Sequence, residues 1–165
     1  MDKKAKEIIW MQFGAAIDML DNAIVACPDE LWDDRSKQHE FWYMASHTLF
    51  WLDYYLTADA DNFAPPPPFG LEELDPSGVI PERPYTKDEL RTYLKYCRDK
   101  CRDTILSMTD ERASEPYKFG RLDFSIAELL LYNMRHVQHH AAQLNLILRK
   151  ETDSAPGWGF RARED

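Results

Sequence analysis

Three histidines lie close together in residues 135–143, whose sequence is RHVQHHAAQ. Helical residues four positions apart share a face, with Cβ atoms roughly 5–6 Å apart, so His136 and His140 can bind the same ion. His47, within the apolar run 41–52 of another predicted helix, can supply a third imidazole. Three neutral imidazoles that leave coordination positions open are typical of a reactive metal site. The spacing therefore predicts a divalent-metal site at His47, His136 and His140.

The chain has two further histidines, His39 and His139, and His139 is an alternative ligand. His139 lies on the side of His136 away from His140, so His136 with His139 is a rival pair. The helix line through His139 is more mixed in polarity and is predicted to face a neighbour or solvent, which favours His136 with His140. His39 lies in a polar stretch near a helix start and is predicted to be a surface residue.

No other motif in the sequence predicts a competing catalytic site. The chain lacks a Gly-rich phosphate loop, and it has no H-E-x-x-H, because Val137 follows His136. Asp53, Asp59 and Asp61 are expected to be solvated. The sequence shows no obvious carboxylate base beside the histidines.

Composition limits the class of protein. A formal net charge of −9 over 165 residues disfavours binding to nucleic acid or to anionic membranes. The apolar stretch 8–17 is interrupted by Gln12 and keeps helical spacing, and no run reaches the roughly 18 apolar residues of a membrane span. Three cysteines argue against a disulfide framework, and Cys97 and Cys101 are predicted to be core thiols. We expect a single cytoplasmic domain spanning residues 1–165.

Four long amphipathic patterns predict an all-α chain. The predicted helices cover about residues 3–26, 36–57, 86–108 and 125–150. Thr86 with Glu89 and Ser125 with Glu128 predict capping boxes for the last two. The proline-dense segment 58–84 predicts an irregular lid. Residues 109–123 are predicted to be irregular, no stretch is typical of paired strands, and the aromatic tail 156–160 should cover a hydrophobic edge.

This organisation resembles the DinB/YfiT-like superfamily, which combines a mid-chain histidine in an aromatic helix with H-x-x-x-H followed by x-x-Q-L. The matching residues are 42–52, around His47, and 136–144. Many members carry Arg directly after the second metal histidine, where this chain has Ala141. Over about residues 3–150, the resemblance implies a four-helix bundle with a long crossover between helices 2 and 3, a divalent metal at the three histidines, and often a homodimer. The Pro-rich character of that crossover and the tail are particular to this chain.

Related members transfer small thiols to electrophiles or isomerise substrates with a thiol cofactor. The resemblance therefore implies a metal-dependent enzyme, most simply a low-molecular-weight-thiol S-transferase acting on a small-molecule substrate, with Zn²⁺ or Ni²⁺ as the ion. Trp51, Tyr54 and Tyr55 are predicted to line an apolar substrate pocket under the Pro-rich segment. Gln143 either orients a ligand or substrate or makes a hydrogen bond across the bundle. The alternatives are a metal-dependent hydrolase and a non-catalytic binding or scaffold protein of the same fold.

Overall fold

The computed structural model describes residues 1–34, 36 and 40–164, so the predicted surface position of His39 lies outside the described residues. The chain is mostly helical, as predicted. The four long helices are α1 (Lys3–Ala26), α3 (Phe41–Thr57), α4 (Lys87–Ser107) and α6 (Ile126–Thr152). Two short helices, α2 (Asp29–Trp32) and α5 (Asp110–Ser114), lie in the connections.

The long helices share one hydrophobic core. Helices α1 and α3 each pack against both α4 and α6. The predicted apolar stripe of α1 is buried at Phe13, Ile17, Leu20 and Ile24. The three cysteines are free thiols buried in the structure, as expected for Cys97 and Cys101. The packing of α3 against α6 is the contact on which the site depends.

Helix α1 is long and apolar enough to cross a membrane by length and composition alone. In the structure, 61% of its most apolar 18-residue window is buried. That burial, against α4 and α6, is typical of a core helix.

Local hydrogen bonds set the helix starts. Thr86 and Glu89 form the predicted capping box of α4, and the Ser125 hydroxyl accepts a hydrogen bond from the Glu128 amide at the start of α6. The predicted start of α3 at about Ser36 is wrong, because the helix begins at Phe41. The amide and hydroxyl of Ser36 both donate to the Asp34 carboxylate, a local arrangement that competes with helix formation.

The segment predicted to be irregular between α4 and α6 contains regular structure. Strands β1 (Pro116–Phe119) and β2 (Leu122–Ser125) form an antiparallel hairpin. Gly120 lies in the turn at φ 56°, a conformation that favours glycine. The prediction that no strands pair was therefore wrong. The sequence did not reveal the hairpin because two four-residue strands are too short to show a clear apolar alternation.

The Pro-rich segment is irregular apart from two 3₁₀ turns, Ala60–Asn62 and Glu72–Leu74. It packs through aromatic rings: Phe63 meets Phe50 of α3, with ring centroids 5.2 Å apart, and Phe69 stacks on Tyr93 of α4 at 4.4 Å. The segment therefore forms a packed cover against α3 and α4.

The C-terminal tail folds back onto the protein, as predicted, and lies against α1, but its aromatic side chains are largely exposed. Trp158 is 63% exposed and Phe160 is 80% exposed. The backbone amide of Ala162 donates to the Met11 carbonyl at 2.8 Å, and the Arg163 guanidinium pairs with Asp21 at 2.9 Å. Charge pairing and a backbone hydrogen bond, which aromatic composition cannot reveal, hold the tail.

Candidate metal centre

The structure brings His47, His136 and His140 together. Their ring centroids are 5.4 Å apart for His47 and His136, 5.0 Å for His47 and His140, and 4.5 Å for His136 and His140. One ring nitrogen from each residue lies within 4.8 Å of the other two. Because His136 and His140 are one turn apart on α6 and His47 faces them from α3, helix packing alone produces this convergence.

Hydrogen bonds orient two of the rings. The Nδ1 of His47 donates to Glu73 Oε2 at 2.7 Å, and the Nδ1 of His140 donates to Gln143 Oε1 at 2.7 Å. In both residues the Nε2 atom is therefore the nitrogen left to bind an ion. Such partners fix the tautomer and ring orientation of histidine ligands.

The third ring carries a buried polar atom without a partner. The Nδ1 of His136 is buried and has no hydrogen-bond partner in the described part of the chain. An unsatisfied buried polar group costs about 1–3 kcal/mol, and coordination to a cation is one way to relieve that cost. This atom and the three converging imidazoles fit a divalent ion.

The protonation states also suit a metal ligand set. Burial, together with the neighbouring His140, lowers the pKa of His136 to about 3. Burial, together with the neighbouring His47, lowers the pKa of His140 to about 4. Both imidazoles are therefore neutral at pH 7, and a histidine must be neutral to bind a metal.

Glu73 is a residue of the site that the sequence did not predict. Its carboxylate also accepts a hydrogen bond from Trp51 Nε1 at 3.0 Å and one from Tyr43. Burial raises the pKa of Glu73, but the hydrogen bond and charge of His47 and the hydrogen bonds of Tyr43 and Trp51 outweigh it and lower the pKa overall. The Pro-rich segment has no periodicity, and nothing in the sequence distinguishes Glu73 from Glu72 beside it.

The sequence also singled out His139 and Gln143 of α6, and neither is a member of the histidine cluster. His139 is exposed and does not belong to the cluster, although its ring lies 5.2 Å from that of His140. The hydrogen bond of Gln143 runs along α6 to His140 and not across the helices. Gln143 therefore orients a member of the cluster.

The three aromatic residues predicted to line a pocket differ in their distance from the cluster. Trp51 lies beside His47, with ring centroids 6.4 Å apart, and Tyr55 lies 6.3 Å from His136. Tyr54 is buried against Phe63. A cavity between the Pro-rich segment, α3 and α4 has a volume of only about 10 Å³, and none of these three aromatic residues lines it.

A larger groove has His136 in its lining. It runs between α1 and α6, has a volume of about 690 Å³, and has Trp158 of the tail among its walls. Arg135, His136 and His139 contribute to its lining, and none of its lining residues in the described part of the chain is acidic. The structure therefore offers space for a small molecule beside His136.

Asp53 is not solvated, contrary to the prediction. Its side chain is fully buried, accepts a hydrogen bond from the Tyr93 hydroxyl at 2.8 Å, and pairs with Lys100 Nζ at 2.5 Å. Asp53 lies on α3, and both partners lie on α4. It therefore links two core helices, whereas Asp59 and Asp61 are exposed as predicted.

Comparison with known proteins identifies a family to which the chain is similar. The model of a family described as the DinB superfamily matches residues 12–144, which is most of the chain. No curated protein matches the chain. The matched range contains His47, Glu73, His136, His140 and Gln143.

Proposed function

The chain belongs to the DinB superfamily, and on this premise we propose that it binds one divalent metal ion through His47, His136 and His140. The observation that carries the proposal is the convergence of three imidazoles with one nitrogen each within 4.8 Å of the others. Zn²⁺ and Ni²⁺ are the proposed ions, since imidazole suits both.

Family membership also supports a finer description of the architecture. We propose that α1, α3, α4 and α6 form the four-helix bundle of the DinB type within a single domain spanning residues 1–165. The Pro-rich segment 58–84 would be the long crossover between the second and third long helices. The pairwise packing of these helices supports this arrangement.

We propose that the protein transfers a low-molecular-weight thiol to a small electrophilic substrate. A divalent ion held by three neutral ligands keeps its full charge and would lower the pKa of a thiol bound to it. The thiol loses its proton to solvent, its sulfur forms a bond to the electrophilic carbon, and the leaving group departs with the bonding electron pair. The role of His47, His136 and His140 is to hold the divalent ion in a fixed position beside the thiol.

The carboxylate at the cluster supports thiol chemistry over hydrolysis. A hydrolase of this type needs a base that can take a proton from water. Glu73 already accepts hydrogen bonds from His47, Trp51 and Tyr43, which lower its pKa. It is therefore poorly suited to act as that base, whereas a thiol with a lowered pKa needs none.

The groove beside His136 is the proposed substrate site. Its volume of about 690 Å³ lies within the range of about 300–1,000 Å³ typical of small-molecule sites. In a chain with a net charge of −9, a groove that has Arg135 and no acidic residue among its described lining residues suits an uncharged or anionic substrate.

We propose that the protein is a cytoplasmic homodimer. The exposed aromatic side chains of Trp158 and Phe160 support an interface, since aromatic residues are enriched at binding hot spots. The three free buried thiols support a reducing compartment. Neither nucleic acid nor a membrane is a proposed partner of this acidic chain.

The proposed reaction predicts a metal-dependent rate with small thiols. Metal-loaded protein is incubated with glutathione or cysteine and a chromogenic electrophile such as 1-chloro-2,4-dinitrobenzene, and thioether formation is followed by absorbance. We expect the rate above background to disappear in the His140→Ala variant and to persist in Asp61→Ala, whose exposed carboxylate belongs to neither the cluster nor the lining of the groove. Equal rates in the wild type and His140→Ala would show that the site does no thiol chemistry and would favour the scaffold alternative.

A further inference from the structure

Glu73 connects the Pro-rich segment to the histidine cluster. Three donors from one face of α3 converge on its carboxylate, namely His47 Nδ1 at 2.7 Å, Trp51 Nε1 at 3.0 Å and Tyr43. We propose that Glu73 is the positioning residue of the metal site and that it couples metal binding to the docking of residues 69–80 on α3. This inference rests on the proposed function, since it assumes that the histidines bind a metal.

The burial of the contact indicates a defined arrangement. The Glu73 side chain is 14% exposed and that of His47 is 29% exposed. Charge-assisted hydrogen bonds to an ionised carboxylate are roughly twice as strong as neutral ones. Glu73 therefore holds the His47 ring in one tautomer and one orientation, with Nε2 free.

Besides Leu74, which is partly buried against the hydrophobic core, the segment has few anchors near Glu73. The 3₁₀ turn at Glu72–Leu74 has local backbone hydrogen bonds, from Leu74 to Leu71 at 2.9 Å and from Asp75 to Glu72 at 3.0 Å. Residues 75–80 are exposed, although Phe69 is packed against α4. The carboxylate of Glu73 is thus a principal attachment of residues 71–80 to α3.

Metal binding and the docking of Glu73 must influence each other equally. If a docked Glu73 raises the affinity of the cluster for a metal ion, bound metal must favour docking of Glu73 by the same factor. Loss of a partner that orients a metal ligand typically weakens metal binding about 10–100-fold. The same factor should appear in the stability of the docked segment.

The first test is metal affinity in three variants. Zn²⁺ affinity is measured by competition with a chromophoric chelator for Glu73→Ala, Glu73→Gln and the control Glu72→Gln, which changes the neighbouring carboxylate. We expect affinity about 10–100-fold weaker for Glu73→Ala. Glu73→Gln should lose less, because its amide oxygen still accepts from His47, and Glu72→Gln should match the wild type. Wild-type affinity in both Glu73 variants would overturn the proposal.

The second test is hydrogen exchange, which separates positioning from a purely structural role. Zn²⁺ should slow amide exchange in peptides covering residues 69–80 of the wild type and of Glu72→Gln, but not of Glu73→Ala. Equal slowing in Glu73→Ala would overturn the coupling. If the wild type binds no metal, the proposed function fails. If it binds metal but Glu73→Ala behaves as the wild type in both tests, only the present inference fails.

Discussion

Replacing His136 or His140 with alanine is expected to abolish stoichiometric Zn²⁺ binding. Zinc sites with four ligands have apparent binding free energies of about 10–16 kcal/mol, or roughly 3 kcal/mol per ligand. Loss of one ligand should therefore weaken affinity by a factor on the order of 100. The measurement is elemental analysis after dialysis, with affinity from chelator competition.

The matched control for this prediction is His139→Ala. His139 is an exposed imidazole on the same helix, beside His140 and outside the cluster. We expect it to keep one Zn²⁺ per chain. If His139→Ala lost the metal while His140→Ala kept it, the rival pair His136 with His139 would be the correct one.

Replacing Asp53 with alanine is expected to lower the free energy of unfolding by about 3 kcal/mol. The variant removes a buried carboxylate and leaves Lys100 and the Tyr93 hydroxyl without their partner. We place the effect at the lower end of the range for buried pairs, because Lys100 is 24% exposed and also donates to Thr57. Urea unfolding followed by circular dichroism measures the loss.

Asp61→Ala provides the comparison for Asp53, because the sequence predicted the same solvated position for both. Asp61 is exposed, so its replacement should change stability by less than about 0.5 kcal/mol. Equal stability of the two variants would contradict a structural role for Asp53. The conservative variant Asp53→Asn should retain the Zn²⁺ affinity of the wild type. The reason is that Asp53 contacts Tyr93 and Lys100 and is not a member of the histidine cluster.

The features that sequence predicted are those that follow from periodicity. Apolar residues at helical spacing predict the four long helices, and Thr86 with Glu89 marks the start of α4 because the capping box is a local pattern. The pairing of His136 with His140 follows from helix geometry together with the mixed polarity of the helix line through His139. The sequence also singled out His47, because it is the histidine in the aromatic pattern of another helix.

The features that sequence missed depend on contacts between distant segments. Glu73 lies in a segment without periodicity, where Glu72 and Asp75 have the same chemistry. The burial of Asp53 depends on Tyr93 and Lys100 of another helix, so its local sequence resembles that of a solvated carboxylate. The position of the tail depends on Arg163 meeting Asp21, which cannot be inferred from the neighbours of either residue.

The central claim is that His47, His136 and His140 bind one divalent ion through nitrogen. X-ray absorption at the zinc edge of the metal-loaded wild-type protein tests it most directly. We predict a shell of nitrogen and oxygen at about 2.0–2.1 Å with multiple scattering from three imidazoles. A sulfur shell at about 2.3 Å, as the cysteines would give, or a spectrum without imidazole scattering would contradict the account.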